Sequence, residues 1–390
     1  MSSWAERAGR AGAAAAALLA FTAVPGRAKV SFTGYGHFLF TADSNLRLFA
    51  PAAVLSGLPE GTHRGRGFST DAVGLFAATP VGEEADFLMD VAYRGIGGTV
   101  RELRVQYAYL DTALPWEGVR LQAGKVTLPI GYYNTRRFYP FQRVELSAPL
   151  FQSGILGLPI ADAGGVLSYH AEAADLGFDV RFFGVNGYGS VPNSTASFRN
   201  ASLPGGLAVS NNLTSGNNNR DVALGGQVAL SRDSNWEYGV SYYRGAWDRS
   251  AERMFQIAGT HFHWTPGKFD VLAEALTLMV SGDEGMMQAF GQQDWGTDGG
   301  FLAVSRPVGT VRGSLVSLYG RGEFYESGAR DGTGGHELVR SAAAGFSARV
   351  NDWITWKGEY LWLDYRVPAA RAKALQLMGY TAQFGLVVTF

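Results

Sequence analysis

The chain has 390 residues, 46% of them hydrophobic and 17% charged, which excludes an intrinsically disordered polypeptide. A formal charge of −1 leaves no basic footprint for nucleic acid, and the lack of cysteine excludes disulfides, thiolate metal sites and cysteine nucleophiles together. The 52 glycines and 50 aromatic residues (9 Trp, 17 Tyr, 24 Phe) follow no collagen-like period, and the combination suits strands more than helices.

Arg7 and Arg10 precede the apolar run Ala11 to Val24, which closes on small residues at Gly26 and Ala28. A positive start, a short apolar core and a small-residue exit predict a secretory signal peptide over 1–28. The run is too short for a membrane-spanning helix, which needs about 20 residues. Residues 29–390 then carry 30 basic and 33 acidic side chains. A secreted chain of this kind fits a bacterial envelope protein.

From residue 29 the sequence alternates. Val30, Phe32, Gly34, Gly36, Phe38 and Phe40 share one face, while Ser31, Thr33, Tyr35 and His37 share the other. Such a period of two is the mark of a strand between two environments. Sixteen such segments follow: 29–41, 67–79, 85–95, 99–111, 117–127, 163–173, 175–187, 220–232, 235–247, 252–265, 267–279, 298–307, 311–325, 336–350, 353–366 and 375–390. Links from even- to odd-numbered segments are tight, at Pro80 to Glu84, Thr112 to Trp116, Arg232 to Ser234, Pro266-Gly267, Pro307 to Thr310 and Asn351-Asp352. The opposite links are usually longer. Short turns at one rim and long loops at the other predict an all-β, antiparallel transmembrane barrel of sixteen strands, in one domain, in the bacterial outer membrane.

Tryptophan placement agrees: Trp116, Trp236, Trp264, Trp353 and Trp356 lie close to short turns, where an interfacial girdle belongs, with Trp247 and Trp295 at the opposite rim. The chain ends in alternation, Tyr380, Ala382, Phe384, Leu386, Val388 and Phe390. A last strand with an aromatic end resembles the assembly signal read by the barrel-insertion machinery, so Phe390 is the expected signal and that machinery an expected partner.

Two passages, VRLQAGKVTLPIGYYN (Val119 to Asn134) and FFGVNGYG (Phe182 to Gly189), resemble the phosphate-selective porin family and its uncharacterised relatives. In that family a strand ending in Gly-Lys or Gly-Arg leads through a Pro-x-Gly turn into a constriction loop. The resemblance implies a sixteen-stranded barrel, often a homotrimer, that passes small hydrophilic solutes. The chain departs from the arginine ladder of phosphate-selective members. Its expected inward faces mix Arg94, Arg104, Arg120, Arg181, Arg321, Arg349 and Lys357 with Asp90, Asp179, Glu237, Asp270, Glu274, Glu323 and Glu359.

The long connection 127–162 is the candidate constriction loop, the third external loop if the N-terminus is periplasmic. Within it TRRFYPFQR carries Arg136, Arg137 and Arg143 before any acid. Folded into the lumen, these three would bias the constriction toward anions; folded outward, they would form a basic turn that could grip lipid phosphates. Arg120, Lys125, Arg181, Glu274, His261 and His263 are the expected pore-lining residues. His261 and His263, two apart on one strand, read as lumenal polar residues, because two ligands alone make a poor metal site. No catalytic motif, cofactor site or metal site is predicted.

The expected function is a porin with a water-filled channel, weakly anion-preferring, for passive diffusion of small hydrophilic solutes or ions, in contact with outer-membrane lipids. A receptor or adhesin barrel without an open pore stays open, as does a barrel hydrolase using His63 or His336 in outer loops.

Overall fold

The computed structural model describes residues 30–43, 66–96, 100–137, 139–149, 161–187, 189–190, 207–208, 221–233, 235–247, 251–281, 294–329, 337–367 and 375–390. The expected signal peptide over 1–28, His63, His336 and most of the asparagine-rich stretch before Asp221 lie outside them.

Sixteen strands close into one antiparallel barrel. They are β1 (Ser31–Asp43), β2 (Arg66–Pro80), β3 (Ala85–Ile96), β4 (Val100–Ala113), β5 (Val119–Thr127), β6 (Ala161–Ala173), β7 (Leu176–Val185) and β8 (Ala223–Arg232). Next come β9 (Trp236–Ala246), β10 (Met254–Trp264), β11 (Asp270–Ser281), β12 (Asp294–Val311), β13 (Ser314–Ala329), β14 (Glu337–Arg349), β15 (Ile354–Val367) and β16 (Leu375–Thr389). A two-residue ladder, Gly189–Ser190 with Leu207–Ala208, sits in the connection from β7 to β8. One helical turn, α1 (Tyr133–Arg136), follows β5.

Each strand pairs with its sequence neighbour, and β1 pairs with β16 to complete the ring, Tyr35 opposite Thr389. Closure continues to the last residue: Gly34 donates its N–H to the Phe390 carbonyl at 2.6 Å, and Phe390 donates back at 2.9 Å. The Phe390 ring covers Gly34, where a Cβ would meet it at 2.2 Å. A closed ring leaves no unpaired edge, the condition for crossing a bilayer with strands.

Alternation gives the wall two faces. Phe182, Leu224, Tyr238, Val240, Leu302, Phe324, Tyr360 and Phe384 point outward and are well exposed, while Glu237, Glu274, Arg321, Glu323, Lys357 and Glu359 point inward and are buried. Trp116, Trp264, Trp353 and Trp356 stand exposed beside the tight turns. Trp247, at the long-loop end, is buried instead and donates its ring N–H to the Ser281 carbonyl at 3.0 Å.

One expected turn is corrected. Proline and glycine at Pro307 to Thr310 read as a hairpin, but β12 runs through them to Val311 and the chain turns at Arg312-Gly313. A register shift between Pro307 and Gly309 leaves Val308 without a cross-strand partner, a bulge beside the proline, and proline is tolerated at such places in a strand. Arg312 and Gly313 both have positive φ, 50° and 85°, as a two-residue hairpin turn requires. β12 and β13 are therefore longer than the sequence segments, and pair from Trp295–Ala329 down to Val311–Ser314.

Candidate functional site: a loop laid across the lumen

After β5 the chain turns inward. Leu128, Ile130 and Tyr133 are buried in one cluster with Ile257, Leu272, Leu276 and Phe301 from the walls of β10, β11 and β12. Burying such side chains stabilises by about 1.5–3 kcal/mol each, so this apolar patch is the first anchor of the loop. Gly131 makes the approach possible. Its φ is +70°, and a Cβ there would meet a Glu274 carboxylate oxygen at 2.5 Å. Its N–H donates to Ser241 Oγ at 3.3 Å, and its carbonyl accepts from Gln227 Nε2 at 3.1 Å. Glu274, buried, accepts the N–H of Tyr133. The Pro-x-Gly turn seen in the sequence is thus the hinge that docks the loop onto β8, β9 and β11.

The three arginines then part company. Arg136, with 45% of its side chain exposed, pairs with Glu237 of β9 at 3.0 Å. Arg137 is 8% exposed and lies between Asp270 of β11 at 2.5 Å and Glu145 at 3.6 Å. Burial works against its charge, but Glu145 and Asp270 outweigh that and hold the guanidinium above its ordinary pKa. Arg143 is buried, donates to the Glu145 and Leu146 carbonyls at 3.3 and 2.9 Å, and lies over the Tyr133 ring. Two of the three expected constriction cations are therefore covered and engaged in holding the loop. A run of basic residues does not reveal this, because Asp270 lies 133 residues away in sequence.

The histidines belong to the same anchor. His261, 1% exposed, has Nε2 3.2 Å from Glu237, and His263 has Nε2 3.2 Å from Asp270. Tyr132 stacks on His263 with centroids 4.6 Å apart. Both rings face inward as expected, but the loop lies over them. Among the described residues no group of three or more His, Asp or Glu side chains is placed to hold a metal ion.

Further along, the loop is gripped by β1, β3, β13 and β15. Tyr139 donates to Asp90 of β3 at 2.6 Å, and Tyr35 of β1 reaches the same carboxylate at 3.2 Å. Burial, then the Asp90 charge, pushes the Tyr139 hydroxyl well above its ordinary pKa, so it stays a donor. Lys357 of β15, 2% exposed, donates to the carbonyls of Pro140 at 2.6 Å, Arg143, and Glu145 at 3.1 Å. Ser147 gives its hydroxyl to Glu359 at 2.5 Å, and its carbonyl accepts from Arg321 at 2.8 Å. Leu146 donates its N–H to Tyr319, which donates to Glu359 at 2.8 Å. Sequence reading placed Arg321, Lys357 and Glu359 on inward faces but assigned them no partner.

No family model matches the chain, and no curated protein sequence matches it. Among solved structures, the anion-selective porin from Comamonas acidovorans is similar, with TM-score 0.59 and 12% identity over 93% of this chain and 100% of that one. So are OmpT, an outer-membrane protein of Vibrio cholerae (0.56, 11%, 94% and 99%), and the outer membrane channel DcaP of Acinetobacter baumannii (0.56, 10%, 93% and 97%). The chain has the barrel fold of bacterial porins and outer-membrane channels. The likeness supports a porin-type barrel; the narrower phosphate-selective resemblance has no matching family model behind it.

The loop leaves one side of the lumen uncovered. Between it and the wall of β4 to β7 lies a cleft of about 390 Å³, lined by Tyr107, Tyr109, Asp111, Arg120, Gln122, His170, Asp179 and Arg181, with Asn134, Thr135, Tyr139 and Gln142 on the loop side. Arg120, 45% exposed, pairs with Asp111 at 2.8 Å, and half-exposed His170 lies 3.0 Å from Asp179. Arg181 makes a long contact to Gln227 at 3.5 Å. Of the expected lining residues, Arg120 and Arg181 face this cleft. Lys125 is buried and donates to the Val105 carbonyl at 2.8 Å, while Glu274, His261 and His263 lie under the loop.

Proposed function

We propose that this protein is an outer-membrane porin, a passive and non-enzymatic channel for small hydrophilic solutes. The loop over 128–149 narrows the lumen, and the cleft along β4 to β7 is the passage. The observation that carries this reading is the combination of an apolar outer wall with a polar, charge-lined cleft bounded on one side by a loop tied to the opposite wall. A homotrimer is the assembly this reading favours, and one of the similar barrels, OmpT of Vibrio cholerae, is described in a trimer form.

The channel prefers anions weakly. Arg120 from the wall and Arg136 from the loop supply exposed positive charge and Arg181 a half-buried one, and acids offset all three: Asp111 beside Arg120, Glu237 beside Arg136, and Asp179 two residues from Arg181 on the same strand face. An ion about 6 Å from one uncompensated unit charge gains roughly 0.7 kcal/mol in water, a factor of about three. Salt near 0.15 M screens beyond about 8 Å, so only groups at the narrowest point count. The Arg136→Ala, Arg181→Ala double variant should shift the zero-current potential in a salt gradient toward cation preference. An unchanged potential would take both arginines out of the conduction path.

A further inference from the structure

The outer wall is not uniformly convex. On the faces of β7 to β10 there is a groove of about 880 Å³, within the range of ligand sites on proteins. Cross-strand register explains it. One row across the wall reads Phe182, Gly226, Tyr242, Ala258, large alternating with small, and the row above it reads Gly184, Leu224, Arg244, Gln256. Gly226 and Ala258 leave the floor low, while Phe182 and Leu224 stand 62% and 61% exposed as its sides.

At the long-loop end the groove changes character. Arg244 lines it two residues before β9 ends, on the outward face, and among the described residues its guanidinium makes no hydrogen bond or ion pair. The nearby acid on the lip, Asp221, has a carboxylate oxygen engaged by the N–H of Ala246 at 2.9 Å. Below, the Tyr242 hydroxyl donates to Gln256 at 3.2 Å, so polar groups gather at the top and apolar ones beneath.

We infer that this groove is a binding site for a phospholipid whose headgroup carries a net negative charge, with acyl chains on the Gly226 and Ala258 floor and the phosphate on Arg244. A cation with no partner among the described residues, above an apolar furrow on a lipid-facing wall, complements an anionic headgroup with its chains. The inference rests on the outer-membrane reading.

The test uses the full chain, refolded and stripped of lipid, with retained lipid counted by native mass spectrometry. Phosphatidylglycerol and phosphatidylcholine of identical chains are the two probes. The expected result is an approximately fivefold preference for phosphatidylglycerol, the scale of one arginine at a lipid surface. Arg244→Gln should bring that preference close to one, and Ala258→Leu should lower retention of both lipids. Heat-modifiable migration confirms that each variant is folded; Gly226 is left alone because a Cβ there would press on the Arg181 carbonyl at 2.6 Å. Equal retention of the two lipids by the parent protein, or a preference unchanged in Arg244→Gln, would overturn the proposal. Because the chain has no cysteine, Ala258→Cys gives a single thiol, and its crosslinking to a second copy in membranes would overturn it too. A failure of the outer-membrane reading would look different: the barrel would not enter vesicles at all.

Discussion

Replacing Lys357 with methionine should release the middle of the lumenal loop and raise single-channel conductance by about twofold while the barrel stays folded. One buried ammonium donates to three loop carbonyls, those of Pro140, Arg143 and Glu145. Methionine has similar length and no donor, and each carbonyl left without a partner costs about 1–3 kcal/mol unless water reaches it. In a water-filled lumen the loop moves off before that cost is met in full. Lys357→Arg keeps a charge and donors at the position and should restore part of the parent conductance. If Lys357→Met conducts like the parent, the segment it holds does not limit the passage.

Arg137→Ala should loosen the same loop from its other end, and far more than Arg136→Ala one residue away. Glu145, 2% exposed, loses its guanidinium, whereas Asp270 at 31% exposure can rehydrate. Breaking a buried pair from one side costs about 3–5 kcal/mol, and partial rehydration places this case at the lower end. Hydrogen exchange of peptides covering 130–147 should accelerate on the order of 100-fold in Arg137→Ala, and by less than about threefold in Arg136→Ala, whose guanidinium is 45% exposed and whose partner Glu237 keeps His261 beside it. Glu145→Gln added to Arg137→Ala should recover part of the loss, since the buried carboxylate left without its guanidinium is then gone. Equal protection in the two single variants would mean that the loop is held by packing alone.

Much of the barrel is legible in the sequence because strand alternation and turn chemistry are local. Sixteen period-two segments fall within a few residues of the sixteen strands, and the links at 81–84, 114–118, 233–235, 265–269 and 350–353 lie where short turns were expected. The turn after β12 departs from the sequence expectation for an equally local reason: Pro307 and Gly309 serve a bulge as readily as a hairpin. The site is less legible because its determinants are distant in sequence. Arg136, Arg137 and Arg143 look alike in the chain, and only the strands they meet separate them, giving Arg137 to Asp270 of β11 and leaving Arg136 half exposed. Lys357 and Pro140 are 217 residues apart. His261 and His263 face inward, but which inward residues meet water depends on where the loop settles, and the apolar patch of Ile257, Leu272, Leu276 and Phe301 decides that.

The central claim, a conducting barrel narrowed by an internal loop, is tested most directly by planar-bilayer recording of the refolded parent protein in a potassium chloride gradient. The prediction is discrete, ohmic conductance steps with a small zero-current potential of the anion-preferring sign. Folded, heat-modifiable barrels that insert and carry no current would contradict it.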